Sequence, residues 1–336
     1  MGCVYLRVAD RICPRAQDFR LNVLRWGRSA YEREADLALE AAHARSVGGR
    51  WRSAPDAGSV PDLDGVDVLV VTSKAKVSEA VLDGFSGRYV LTTTSGYDHI
   101  DVAAAIERGI SVGRCPLARR DAVVETALGA LIGLGKRWPR QLGAARQGRW
   151  VRAELPDLAP LGIRGSTVLV VGLGVIGQKL AEVLRVLGAT VWGFDPRGVP
   201  DGVEAVSLEA GLRGCDAVSL HCSLTSSSRG LLDAAALALL PTHAVVINTA
   251  RGGSLDPVAA VDAVAAGRLR GVAIDVFPEE PWPQLASQSA VEGVWLMPHG
   301  AGYAPDLGQR VAAEVGATLR AIAASEPLPH PVGVEE

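Results

Sequence analysis

Residues 168–195 read VLVVGLGVIGQKLAEVLRVLGATVWGFD. An apolar run suited to a buried strand passes through Gly172, Gly174 and Gly177 into an amphipathic stretch, and the chain returns to a second apolar run ending at Asp195. The spacing G-x-G-x-x-G is weak by itself, but between a strand and a helix it has a mechanism. The first glycine makes a tight turn, the second lets backbone N–H groups approach a pyrophosphate, and the third lets helix and strand pack closely. Val175 and Ile176 open the helix, whose N-terminus faces the phosphates. Asp195 follows Gly177 by 195 − 177 = 18 residues, close to the place of an acid that accepts from the adenosine ribose hydroxyls and repels a 2′-phosphate. The expected cofactor is NAD rather than NADP, although Arg197, two residues on, is placed to blunt that preference.

Outward from this unit, β-branched runs alternate with Ala/Leu-rich amphipathic stretches, the rhythm of βαβ units. TVLVVG, TVWGFD, AVSLHC, AVVINT, GVAIDV and VWLMPH supply six strands of one doubly wound sheet. The first third predicts strands at Val4–Val8, Val68–Thr72, Tyr89–Thr93 and Ile110–Gly113, a helix at Val102–Arg108, and a polar Gly/Pro-rich loop over residues 48–65. A long helix is expected from Asp121 to Gln147, with Val124, Leu128, Leu131 and Leu134 on its apolar stripe, bridging two domains. A further helix is expected over Asp306–Ala323, with a loose tail after it. The fold class is α/β, with two doubly wound parallel-sheet domains, Rossmann-like and flavodoxin-like, and a cleft between them.

Composition narrows the function. The 336 residues carry a net charge of −3, with 48% hydrophobic and 21% charged residues. That balance fits a soluble globular protein and offers no electrostatic footprint for nucleic acid or an acidic membrane. Five cysteines without a C-x-x-C pattern argue against a disulfide framework or a metal site, and point to a reducing cytoplasm. No apolar run is long enough to span a bilayer, and the charges at Arg7, Asp10 and Arg11 preclude a signal-peptide core.

Three polar residues follow apolar strands of the second series: Arg251 after AVVINTA, Glu280 after GVAIDVFPE and His299 after VWLMP. Carboxyl ends of strands line the ligand crevice of such sheets. Each residue alone reads as surface or structural; their joint placement is the signal. A histidine can exchange the proton of an alcohol as hydride leaves. A carboxylate on its other ring nitrogen sets the tautomer and favours the protonated ring. An arginine can bind a carboxylate bidentately and polarise an adjacent carbonyl. Together they describe a 2-keto/2-hydroxy acid redox site.

The motifs GLGVIG…FDP, NTARGGSLD, AIDVFPEEP and MPHGAG resemble, in order and spacing, those of the D-isomer-specific 2-hydroxyacid dehydrogenases, over nearly the whole chain. The resemblance implies that Arg251, Glu280 and His299 form the catalytic triad and that Asp275 holds the nicotinamide amide. It implies that Thr249, Ala250, Ala301 and the turn of Cys222, Ser223 and Thr225 line the cofactor. TTTSGYDHID resembles the loop that receives the substrate carboxylate, at Ser95 and Gly96, and VTSKAKV a second substrate-side loop carrying Lys74. It further implies a discontinuous substrate domain, residues 1–117 and 303–336, an NAD domain, residues 118–302, and a homodimer joined through the NAD domains. Small 2-keto or 2-hydroxy acids are then the expected substrates.

Two departures bear on the substrate. CPLARRDAVVE places Arg119 where the family commonly has Asn, with Arg120 beside it, and Ser223 replaces a usual proline. With Lys74, these cations suggest a dianionic substrate such as a phosphate, phosphonate or dicarboxylate. Phosphite dehydrogenases share the triad but carry a Lys where this chain has Ser95, and formate dehydrogenases pair the histidine with Gln rather than Glu. An NAD-sensing binding module of the same superfamily keeps the triad, and turnover is what separates it from an enzyme.

Overall fold

The computed structural model describes residues 21–333. Thirteen strands fall into two sheets among them. The first contains β1 (Asn22–Trp26), β2 (Arg50–Ala54), β3 (Val68–Val71), β4 (Tyr89–Thr92) and β5 (Ser111–Arg114). The second contains β6 (Thr167–Val171), β7 (Thr190–Phe194), β8 (Glu204–Ala205), β9 (Ala217–Leu220), β10 (Val245–Asn248), β11 (Gly271–Ile274) and β12 (Val294–Leu296). A final pair of residues, β13 (Pro331–Val332), returns to the first sheet.

The first sheet runs β13-β5-β4-β3-β1-β2, parallel except for β13. Its five parallel strands have the flavodoxin-like order. The second runs β12-β11-β10-β9-β6-β7-β8 and is parallel throughout. It has the order of a dinucleotide-binding sheet, extended at one edge by β12. Every residue of β3, β9, β10 and β11 is buried. Helices cover both faces, which is why these strands read as continuous apolar runs rather than alternating ones.

The chain crosses between the sheets twice. The segment after β5 enters helix Arg120–Gly135, which packs on β10, β11 and the helix Val175–Val186. The segment after β12 enters helix Leu307–Ala323, which packs on helix Glu34–Ser46 of the first sheet. Glu314 of that last helix accepts from the backbone N–H groups of Leu117 and Ala118, tying the first crossing to the second.

Several expectations are corrected. The helix expected over residues 121–147 is two helices, Arg120–Gly135 and Trp138–Arg146. Arg137 takes a left-handed backbone (φ 58°), and Pro139, lacking an N–H, sits in the first turn of the second helix; in a continuous helix its ring would meet the carbonyl of Gly135. The loop expected over residues 48–65 contains β2 as the edge strand. The tail is not loose throughout, because Pro331 and Val332 pair with Gly113 and Val112. The strand expected at Val4–Val8 lies outside the described residues.

β1 was not anticipated, because Arg25 interrupts its apolar pattern. Its guanidinium is buried between Glu32 (2.6 Å) and Glu40 (3.0 Å). A buried cation persists only when paired in this way. Burial pushes the Glu40 carboxyl up to about 7 against the opposing charge of Arg25.

Candidate active site

The glycine loop sits where the second sheet reverses its strand order, between β6 and β9. Gly172 has φ +87°, and a Cβ there would lie 2.5 Å from the Cys222 backbone N. Only a glycine lets the loops after these two strands approach so closely. Gly174 caps the twelve-residue helix Val175–Val186, with Val175 and Ile176 as its first residues. Asp195, at the end of β7, accepts from Leu173 N (2.7 Å) and Arg197 N (2.9 Å). Burial would raise its carboxyl, but the bonds from Arg197 and Leu173 hold it below the ordinary carboxylate value.

The turn after β9 is braced by Ser228. Its hydroxyl donates to Ser223 O (2.6 Å) and accepts from Thr225 N (2.8 Å). Cys222 is half-buried, and burial raises its thiol. Thr249 Oγ1, at the end of β10, is buried without a hydrogen-bond partner. A glycine cradle at a helix N-terminus together with an orphaned hydroxyl at the end of a neighbouring strand fits a dinucleotide. When bound, its nicotinamide supplies or accepts a hydride.

Arg251, Glu280 and His299 follow β10, β11 and β12, three adjacent strands. His299 Nδ1 lies 2.8 Å from Glu280 Oε2, and Glu280 Oε1 accepts from Phe277 N (3.0 Å), which holds the carboxylate at the strand end. His299 Nε2 has no hydrogen-bond partner among the described residues and remains available for proton exchange. Asp275 fixes the histidine loop: its two oxygens accept from Gly300 N (2.8 Å) and Ala301 N (3.0 Å), and its carbonyl accepts from His299 N (2.8 Å). Burial raises the Asp275 carboxyl, opposed by those two N–H groups. The carboxylate expected to meet the nicotinamide amide is thus engaged in holding the loop of His299.

Asn248 shapes the turn that presents Arg251, donating to Arg251 O (3.0 Å) and accepting from Ala250 N (3.1 Å). The guanidinium then crosses to the other sheet. Arg251 Nε donates to Asp98 Oδ1 (2.7 Å), Nη1 donates to Ala250 O (2.7 Å), and Nη2 lies 1.1 Å from where a Cβ on Gly96 would stand. Gly96 and Arg251 are therefore brought together, and Asp98 joins them. Asp98 gave no local signal, since an aspartate in GYDHID reads as surface and its partner is 153 residues away. Burial would raise the Asp98 carboxyl, but Arg251 outweighs it and the group titrates below its usual value.

The other substrate-side residues are dispersed. Ser95 Oγ donates to Pro116 O (3.3 Å). Lys74 is exposed in the loop after β3. Arg119 donates to Thr93 O, while Arg120 pairs with Asp121 (2.7 Å) and lines a depression of about 390 Å³ beside Val175, Gln178 and Lys179. Arg120 therefore flanks the glycine-loop helix rather than joining Lys74.

Two buried imidazoles add a stability prediction. Burial pushes His221 down to about 4 and His99 down to about 4, in the second case reinforced by Arg251 and opposed by Asp98. Each has one ring nitrogen without a partner, His221 Nδ1 and His99 Nε2. The unfolded chain takes up these protons below about pH 6.5, whereas the folded chain does so only near pH 4. Their stabilisation is complete above that range and falls away on acidification, by roughly 2–3 kcal/mol for each group. Urea unfolding at pH 6.5 and at pH 4.5 is expected to show the loss, and His221→Asn to show a smaller one. An equal loss in the variant would exclude His221 as a source.

Fold and site together define a two-sheet α/β protein with a dinucleotide crevice and a His–carboxylate pair at its edge. Residues 128–301 match the NAD binding domain of the D-isomer specific 2-hydroxyacid dehydrogenases. D-3-phosphoglycerate dehydrogenase of Mycobacterium bovis is 31% identical over 295 residues, 85% of this chain and 54% of that protein. Glyoxylate reductase of Thermococcus litoralis is 30% identical over 276 residues, 79% of this chain and 83% of that protein. The solved NADPH-dependent glyoxylate/hydroxypyruvate reductase of Sinorhizobium meliloti, in complex with NADP and malonate, superposes with a TM-score of 0.76 at 28% identity, covering 94% of this chain and 97% of that one. The chain belongs to the D-isomer specific 2-hydroxyacid dehydrogenase family and carries its NAD-binding domain. It spans about half the length of the phosphoglycerate dehydrogenases it matches. Among the described residues no helix is long and apolar enough to cross a membrane.

Proposed function

We propose that this chain reduces a 2-keto acid to the D-2-hydroxy acid with NADH, and catalyses the reverse reaction with NAD. The observation that carries this reading is the contact between His299 Nδ1 and Glu280, which leaves Nε2 available at the sheet edge that also presents Arg251. In reduction, His299 Nε2 donates a proton to the carbonyl oxygen as hydride reaches the carbon; in oxidation it takes that proton back. Glu280 stabilises the charged ring and sets its tautomer. Arg251 binds the substrate carboxylate beside the Gly96 loop, and Asp98 aims the guanidinium. Residues 21–117 with 303–333 close on residues 118–302 and exclude water around the transfer. A second anionic group on the substrate would have to meet Lys74, since Arg119 and Arg120 are already engaged.

The test is NADH consumption with a panel of 2-keto acids that includes glyoxylate and hydroxypyruvate, and NAD reduction with D-3-phosphoglycerate. Turnover of the keto acids is expected. If NADH binds and no acid is turned over, the chain is a dinucleotide-binding module and the reading fails.

Glu280→Gln keeps the side-chain shape and removes the charge. It is expected to lower the reductive kcat by about tenfold, because the ring loses the carboxylate that orients it and fixes its tautomer. A kcat equal to that of the parent would uncouple the two residues.

We also assign the chain to homodimers in the cytoplasm. Trp138 and Leu142, four residues apart on one helix, are exposed, and Trp150 is 88% exposed. Apolar surface of this kind is suited to burial against a second copy. Cys115, Cys215 and Cys222 are free thiols, as a reducing compartment would keep them. Light scattering is expected to give the mass of two chains, and Leu142→Glu with Trp150→Glu to give one. A monomeric parent would remove the assignment.

A further inference from the structure

We propose that Arg119 is a positioning residue for the reduction: it ties the loop that receives the substrate carboxylate to the loop that carries His299, and so aligns the bound acid with its proton donor. The proposal rests on the reading of Arg251, Glu280 and His299 as the reducing site, and adds to it a residue that acts through both loops.

Residues 93–96 are stitched to the start of the first crossing between the sheets. Cys115 N donates to Thr94 O (3.2 Å), Ser95 Oγ to Pro116 O (3.3 Å) and Arg114 Nη1 to Ser95 O (3.4 Å). Arg119 Nη1 adds a bond to Thr93 O. Within the loop, Thr94 Oγ1 donates to Gly96 O (2.7 Å). A shift at Thr93 is therefore passed to Gly96, the glycine that lies against the Arg251 guanidinium.

The stem of the same arginine bears on the histidine loop. Gly302 stands three residues after His299. A Cβ on it would lie 3.0 Å from Arg119 Cδ, 3.2 Å from Cγ and 3.3 Å from Cβ. The neighbouring Ala301 is anchored on the side of the second sheet: its N–H donates to Asp275, and its carbonyl accepts from Thr126 Oγ1 (3.2 Å) of helix Arg120–Gly135. Arg119 thus forms a strut, with its stem on a loop fixed to the second sheet and its tip on a loop of the first.

The root of the strut is fixed too. Glu314 accepts from Leu117 N and Ala118 N, the two residues that precede Arg119. Burial lowers the Arg119 guanidinium, opposed by Glu32, Cys115 and Glu314. An arginine stays charged in such a setting, and a charged donor holds a carbonyl more tightly than a neutral one. The asparagine that the family commonly places here has neither the stem that meets Gly302 nor the fork that reaches Thr93.

The test is a double-mutant cycle on keto acid reduction. Rates are expressed per NADH-binding site, counted by fluorescence titration, so that loss of folded chain does not register as loss of alignment. Arg119→Gln keeps the stem and removes the bond to Thr93. It is expected to lower kcat/KM by about thirtyfold, with a fall in kcat and a rise in KM, and to change the NADH dissociation constant by less than about threefold. Gly302→Ala presses a methyl on the stem. It is expected to lower kcat/KM by about fivefold in the parent and by less than about twofold in the Arg119→Gln background, where the push reaches nothing. If the parent reduces no keto acid, the reading of the reducing site fails and the proposal fails with it. If the parent is active and Arg119→Gln equals it per site, the proposal alone is overturned. If Gly302→Ala costs the same factor in both backgrounds, the methyl acts within its own loop and the strut is overturned. Where Arg119→Gln does not fold, Gly302→Ala carries the test: a lowered kcat/KM at unchanged NADH affinity supports the strut, and an unchanged kcat/KM overturns it.

Discussion

Replacing His299 by Asn is expected to cut the rate of 2-keto acid reduction by about 10²–10⁴-fold, the usual contribution of a positioned acid, while leaving NADH affinity nearly unchanged. Asn is the informative replacement because of the backbone. His299 has φ 55°, a left-handed conformation that Asn adopts more readily than most residues. The loop is held by Asp275 through the backbone N–H groups of Gly300 and Ala301 and not through the imidazole. The variant therefore keeps the strand end, the loop and the dinucleotide crevice, and loses only the group that can release and recover a proton. Single-turnover reduction with saturating NADH, beside a fluorescence titration of NADH, separates the two effects. A variant that retains kcat would show that the proton comes from elsewhere.

Gly96→Ala is expected to lower kcat/KM for the keto acid by about 10²-fold, the scale on which a misplacement of about 1 Å at a reacting centre is felt. The added methyl would stand 1.1 Å from Arg251 Nη2 and 2.2 Å from its Cζ. Ordinary contact begins near 3.5 Å, so the guanidinium must withdraw by roughly 2 Å. The displaced atoms are the end of a flexible side chain, so the fold survives and the damage falls on the site. The salt bridge to Asp98 breaks or turns with the guanidinium, and the substrate carboxylate loses its aligned fork. KM for the keto acid should rise with little change in thermal midpoint or NADH affinity. An unchanged kcat/KM would mean that the substrate carboxylate is bound elsewhere.

Both predictions come from contacts that differ in how far they could be read ahead. The position of His299 after VWLMP was evident, because a polar residue ending a buried parallel strand is a local pattern. Its bond to Glu280 is a reasonable consequence of two adjacent strands. The Gly96–Arg251–Asp98 contact joins loops on different sheets, and Asp98 carries no feature that separates it from a solvated turn residue. β1 was hidden because Arg25 looks like a strand breaker until Glu32 and Glu40 are seen around it. The split at Arg137 was missed because apolar periodicity continues through it, and periodicity is insensitive to one left-handed residue.

By itself the sequence determined what depends on neighbours along the chain: the strand–helix alternation, the glycine fingerprint with Asp195 in register, and the three polar residues at the ends of consecutive strands. These follow from side-chain period, turn chemistry and glycine spacing, which act over a few residues. Tertiary structure alone decided which charges meet. It gave Arg251 to Asp98 across 153 residues and bound Arg119 to the carbonyl of Thr93. The reason is that an ion pair forms where the folded backbone brings two side chains within about 4 Å, and that distance is set by how the two sheets and their crossings pack.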